Sequence, residues 1–201
     1  ASVGFLYGLV RTLKVCHPKS ILEFGFDDAT KIVAQYAEYT RCHHEVYDWD
    51  YNRVKAMLGS WGLSLHHTEI YGSNPIPVRR HAQEGMIYPA FSKKMQEQPE
   101  RKFDGIFLKR SIVAGGGTPS MDIMPYIPQM LAEEFVILVD HMENPCVRTM
   151  VEDLEQMLRG SSTKFDELFL DNGAQRVCVI ASEDWINILC DESVFEREEW
   201  D

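Results

Sequence analysis

Short runs of consecutive apolar residues alternate along the chain with stretches in which apolar residues recur every three or four positions. The first rhythm marks strands buried on both faces and the second marks amphipathic helices, so their alternation predicts a mostly parallel sheet covered on both sides. The opening ASVGFLYGLVRTLKV reads as an amphipathic helix; Arg11 and Lys14 interrupt its apolar residues, and the pattern is not that of an export signal. Residues 20–25 form the first strand, and residues 29–39, with Ile32, Val33, Tyr36 and Ala37 at helical spacing, form the next helix. A short strand over 45–47 ends at Asp48, and a helix over 51–61 is closed by Gly62, a natural cap. The third strand falls at 64–70.

Residues 71–102 are less regular and read as an insertion, with the breaker NPIP at 74–77 and a helix over 80–97 closed by Pro99. The fourth strand lies at 103–108. A glycine-rich stretch, KRSIVAGGGTPS at 109–120, leads into a helix over 121–131 that must accommodate Pro125 and Pro128. A fifth strand at 135–140 precedes a helix over 145–158 with Pro145 at its start and Gly160 as its cap. The period then changes: residues 164–170 and 175–181, joined through Asp171-Asn172-Gly173, read as an antiparallel hairpin. Residues 183–201 form an acidic tail in which Val194, Phe195 and Trp200 offer docking side chains. With no repeat and no linker, 201 residues of which 45% are hydrophobic are expected to build one domain.

Composition narrows the partners. The longest apolar run, 135–139, is far below the roughly 20 residues a spanning helix needs, so no membrane is expected. Five scattered cysteines without a CxxC pair indicate neither a disulfide framework nor a zinc site and point to a reducing, cytoplasmic compartment. A net charge of −11 repels a phosphate backbone, which argues against long nucleic acid. His43-His44 and His66-His67 cannot chelate as pairs, because neighbours on a strand face opposite ways. AGGGTPS lacks the GxxxxGK[ST] spacing of a nucleoside triphosphate cradle.

The order of motifs, SILEFGFDDAT, HEVYDWD, KFDGIFLKRS, FVILVDHMEN and a terminal hairpin, resembles the class I S-adenosylmethionine-dependent methyltransferase family over roughly residues 10–182. The resemblance implies an α/β fold: a doubly wound, mostly parallel seven-stranded sheet with a C-terminal antiparallel hairpin, in three layers. It implies S-adenosylmethionine as cofactor. In the family's acidic-x-glycine-x-glycine-x-glycine turn, Glu23 and Gly25 match, while Asp27 and Ala29 replace the second and third glycines. Asp27 either meets the cofactor's ammonium group or caps the following helix. Asp48, at the end of the second strand, takes the ribose hydroxyls by the same likeness, with Asp50 as the alternative, and Ser73 or Asn74 falls beside the adenine. Trp49 lies against the adenine or covers the sheet edge.

Lys109 stands where metal-dependent relatives carry a metal-binding aspartate, which argues against a metal. Lys109 is instead available to position an anionic substrate group. His141 is the candidate general base with Asp140 orienting it, or both are loop polar groups without chemistry. The resulting expectation is a methyltransferase acting on a hydroxyl or amine of a small molecule or sugar. The alternative is a catalytically inactive module of the same fold. Both readings leave a homo-oligomer or a protein partner open.

Overall fold

The computed structural model describes residues 1–48, 50–72, 76–80, 83–109, 121–171, 173 and 175–191. Trp49, Ser73, Asn74, the glycine stretch at 114–120 and the tail side chains Val194, Phe195 and Trp200 lie outside them.

The chain opens with α1 (Val3–Val15), capped by the Ser2 hydroxyl, which accepts from the Phe5 N–H. Then follow β1 (Ser20–Phe24), α2 (Asp28–Thr40), β2 (His43–Asp48), α3 (Tyr51–Trp61) and β3 (Thr68–Gly72). Gly62 ends α3 at φ 62°, the left-handed cap expected of it. The second half contains β6 (Phe103–Leu108), β7 (Leu131–Val139), α5 (Pro145–Gly160), β8 (Asp166–Asp171), β9 (Arg176–Ala181) and α6 (Glu183–Cys190).

The third strand, expected at 64–70, forms at Thr68–Gly72, and two further segments differ more deeply from the expectation. Residues 80–97 are not one helix: β4 (Ile76–Arg80) and β5 (Gln83–Ile87) pair as a separate antiparallel hairpin, and α4 occupies only Pro89–Glu97. Proline lacks an N–H and has a fixed φ, so it opens a helix readily but breaks the hydrogen bonding of an α-helix interior, and Pro89 sets the start of α4. Residues 121–131 yield a short 3-10 helix (Met121–Tyr126) instead of an α-helix, consistent with Pro125 and Pro128 denying hydrogen bonds to a longer one. The start of the acidic tail is helical, as α6.

Seven strands form one sheet in the order β3-β2-β1-β6-β7-β9-β8. β1, β2, β3, β6 and β7 run parallel, while β9 pairs antiparallel with both β7 and β8. One face buries Leu22, Phe24, Ile106, Ile137 and Val139 against Phe91 of α4 and Val147, Met150 and Leu154 of α5. The opposite face buries Ile21, Phe107 and Leu138 against Phe5 and Leu9 of α1, Val33 of α2 and Ile186 of α6. The layers are thus helix, sheet, helix. Among the described residues no helix is long and apolar enough to cross a membrane.

Successive connections from β1 build outward through β2 to β3, whereas β6 and β7 lie on its other side. In doubly wound sheets such a reversal opens a crevice at the carboxyl ends of the strands flanking it. Here that point lies between Gly25, after β1, and Lys109, after β6.

Candidate active site

The chain leaves β1 through Gly25 at φ 93°, a region that only glycine enters without strain. A Cβ there would sit 3.3 Å from the Lys109 carbonyl oxygen. The Gly25 N–H donates to the Tyr47 carbonyl (2.9 Å), and the Phe26 N–H donates to the Asp48 carboxylate (2.7 Å), so the turn is fastened to the end of β2. Asp27 caps α2: its carboxylate accepts the Ala29 N–H (2.9 Å), and its own N–H donates to Thr30 Oγ1 (3.0 Å). The Ala1 nitrogen also donates to Asp27 (2.6 Å).

Beneath the turn lies a buried ionic cluster. Lys109 is 2% exposed, and its ammonium donates to Asp27 (2.7 Å) and Thr30 (2.8 Å) and pairs with Glu23. Glu23 also accepts from the Thr30 hydroxyl and faces His44 Nε2 (3.0 Å), whose Nδ1 meets Thr68 Oγ1 (3.2 Å). Burial pushes the carboxyls of Glu23 and Asp27 up, but the Lys109 charge, joined at Glu23 by His44, outweighs it and holds both below their ordinary values. The Lys109 ammonium is thus engaged inside the protein and is not presented to an anionic substrate group.

Asp48, fully buried at the end of β2, accepts from the Phe26 and Asp50 N–H groups (2.7 and 2.9 Å) and from Arg53 of α3 (2.9 Å). Asp50 caps α3, accepting the Arg53 N–H (2.9 Å). Gly72, ending β3, packs so closely on Tyr51 that a Cβ would come within 2.7 Å of its ring. Ser73 lies outside the described residues.

Asp140, after β7, is buried and anchors α1: it accepts from Ser2 N–H (2.8 Å), Ser2 Oγ (2.6 Å) and the His141 N–H (2.9 Å). His141 has φ 64°, and its side chain is 20% exposed. Its Nδ1 lies 2.8 Å from Glu143, and its Nε2 lies 3.5 Å from Asp140, too long for a good hydrogen bond.

The structure therefore gathers Glu23, Gly25, Asp27 and Lys109 at one turn, joins Asp48 to that turn through Phe26, and places Asp140 and His141 on the far side of β6. Sequence reasoning missed His44, Thr30, Arg53, Ser2 and Glu143. Only Arg53 carried a usable local signal, standing in the first turn of the helix that follows Asp48. Among the described residues no three His, Cys, Asp or Glu side chains are grouped to hold a metal ion.

No family model matches the chain, and no curated protein does. Solved structures do. Human methyltransferase-like protein 13, in complex with S-adenosylhomocysteine, superposes with a TM-score of 0.59 at 9% identity, covering 99% of this chain and 91% of that one. The fold is that of the class I methyltransferases. The O-methyltransferase TomG from Streptomyces achromogenes, involved in tomaymycin synthesis and solved with S-adenosylmethionine, gives 0.55 at 14% identity, covering 89% and 79%. An O-methyltransferase from Bacillus cereus, in complex with S-adenosylhomocysteine, gives 0.50 at 8% identity, covering 90% and 82%. At these identities the likeness is one of fold.

Proposed function

We propose that the protein is an S-adenosylmethionine-dependent methyltransferase acting on a hydroxyl or amine of a small molecule. The observation that carries this reading is the meeting, at the sheet's reversal point, of a glycine turn at positive φ with a strand-end carboxylate bonded to that turn. The residues fit the cofactor. Gly25 keeps the turn free of side-chain bulk. Asp27, its side chain 27% exposed, offers an anionic oxygen at the mouth. Asp48 uses three of about four lone-pair sites on its carboxylate and is fully buried, so a ribose hydroxyl reaches it by displacing a present partner such as the Arg53 guanidinium. S-adenosylmethionine and S-adenosylhomocysteine are what related folds hold.

The cofactor supplies an electrophilic methyl group on a sulfonium. The chain contributes proximity and orientation, with Asp27, Asp48 and the Gly25 turn as the holding residues. In this reading His141, steadied through Nδ1 by Glu143, takes the acceptor's proton. All five cysteines are free thiols, which supports a reducing, cytoplasm-type compartment.

A second reading, a binding or assembly module of the same fold, is favoured by one observation. Glu23, Asp27, Asp48 and Asp140 all have partners within the chain. Asp48→Asn tests the ribose assignment by calorimetry with S-adenosylhomocysteine. Affinity should fall about tenfold or more while the melting curve stays cooperative, and unchanged affinity would remove Asp48 from the site.

A further inference from the structure

The Lys109 ammonium has oxygen partners from Glu23, Asp27 and Thr30, satisfying each of its three donors. Glu23 is wholly buried and committed to Lys109, Thr30 and His44, so it has no surface for a ligand. Asp27 differs: it belongs to the same cluster, yet part of its carboxylate reaches the surface of the turn. The lysine therefore presents an alkylammonium to the carboxylate that any cationic ligand entering beside Gly25 would use. Its backbone is also fixed there, since the Lys109 N–H donates to the Phe24 carbonyl (3.0 Å) and its carbonyl closes against Gly25.

We propose that Lys109 is a specificity-determining residue, an internal cation that competes with the ammonium end of an incoming amino-acid-bearing ligand for Asp27. This rests on the cofactor reading above. Lys109 and the Ala29 N–H fill Asp27 Oδ1, so a ligand ammonium takes that oxygen by displacing the Lys109 hydrogen bond, whereas Glu23 and Thr30 keep the lysine in place. Asp27 thus discriminates by charge and by reach: a ligand lacking the ammonium has nothing to exchange for the lysine bond and should not respond to its removal. The neighbouring groups enter this balance as well. His44 shares Glu23, and the Ala1 nitrogen occupies the second Asp27 oxygen.

The test is a binding cycle by calorimetry with S-adenosylhomocysteine, and with adenosine as the ligand lacking the ammonium. The proteins are the wild type, Lys109→Met/Glu23→Gln, and the same pair combined with Asp27→Asn. Changing Glu23 together with Lys109 avoids leaving a buried carboxylate without its cation. The double variant should bind S-adenosylhomocysteine at least about tenfold tighter than the wild type, one charge-assisted hydrogen bond's worth. Adding Asp27→Asn should cancel the gain, and adenosine affinity should not change. Equal or weaker binding of S-adenosylhomocysteine by a double variant that melts cooperatively overturns the proposal, even if the wild type binds well. An equal gain for adenosine overturns it too, by showing a steric effect. Failure of every protein to bind either ligand removes this proposal together with the cofactor reading.

Discussion

Lys109 and Glu23 are buried, oppositely charged and in contact, so each depends on the other. Removing the lysine alone leaves a carboxylate in a dry environment beside His44, and loss of one partner of a buried pair costs about 3–5 kcal/mol. Lys109→Met should therefore unfold at clearly lower urea, and Lys109→Met/Glu23→Gln should recover most of the loss. A double variant as unstable as the single one would mean that the packing of the lysine stem matters and the charge does not. The pH dependence has a definite sign. Glu23 and Asp27 sit below their ordinary values near 4.5 and 3.8, so their contribution is present above those values and is lost as pH falls through the lower, folded ones. At this scale the sequence was only partly legible. A strand-end acid, Asp48, and a helix cap, Asp27, are local patterns, readable from a strand, a turn and the helix that follows. The pairing of Lys109 with Glu23 depends on β1 and β6 being neighbours, and nothing around either residue announces it.

Among the elements, α5 and β8 meet through two acids. Glu155 of α5 is pushed up to about 7, first by burial and then by its hydrogen bond with Glu167 of β8, with Arg159 opposing. A carboxyl raised in the folded state stabilises when protonated, so its contribution is full below about 4.5 and is lost as pH rises through 7. Glu155→Gln should flatten the melting temperature between pH 5 and pH 8 and raise it at the upper end. A variant that tracks the wild type across that range would contradict the raised Glu155 carboxyl. Most elements were legible because the chain alternates cleanly between buried runs and amphipathic stretches. The exception was the segment before α4. There the spacing of apolar residues mimics a helix across residues that form β4 and β5, and Pro89, a natural first residue of a helix, marks where the helix begins. The 3-10 helix at Met121–Tyr126 follows the same logic, with Pro125 and Pro128 leaving room for a short helix only.

At the scale of the molecule, the strand order turns local patterns into a site. Strands read in sequence as first, second, fourth and fifth become neighbours whose carboxyl ends share one crevice, and that adjacency brings Gly25, Asp27, Asp48 and Lys109 together. The antiparallel β8 and β9 complete the sheet beyond β7, and the start of β9 fastens the segment that follows β7, with the Met142 N–H donating to the Arg176 carbonyl. The order was legible through resemblance to a known fold, whereas the internal pairing of the acids became visible only in three dimensions. The same pairing makes the cofactor question sharp, because a site whose carboxylates already have partners must exchange them for the ligand. The measurement that tests this most directly is calorimetric titration of the wild-type protein with S-adenosylmethionine and, separately, S-adenosylhomocysteine. The account predicts saturable one-to-one binding of both at micromolar ligand. No detectable heat at millimolar concentrations of either would contradict it, and would leave the fold as a module whose acidic turn serves its own lysine.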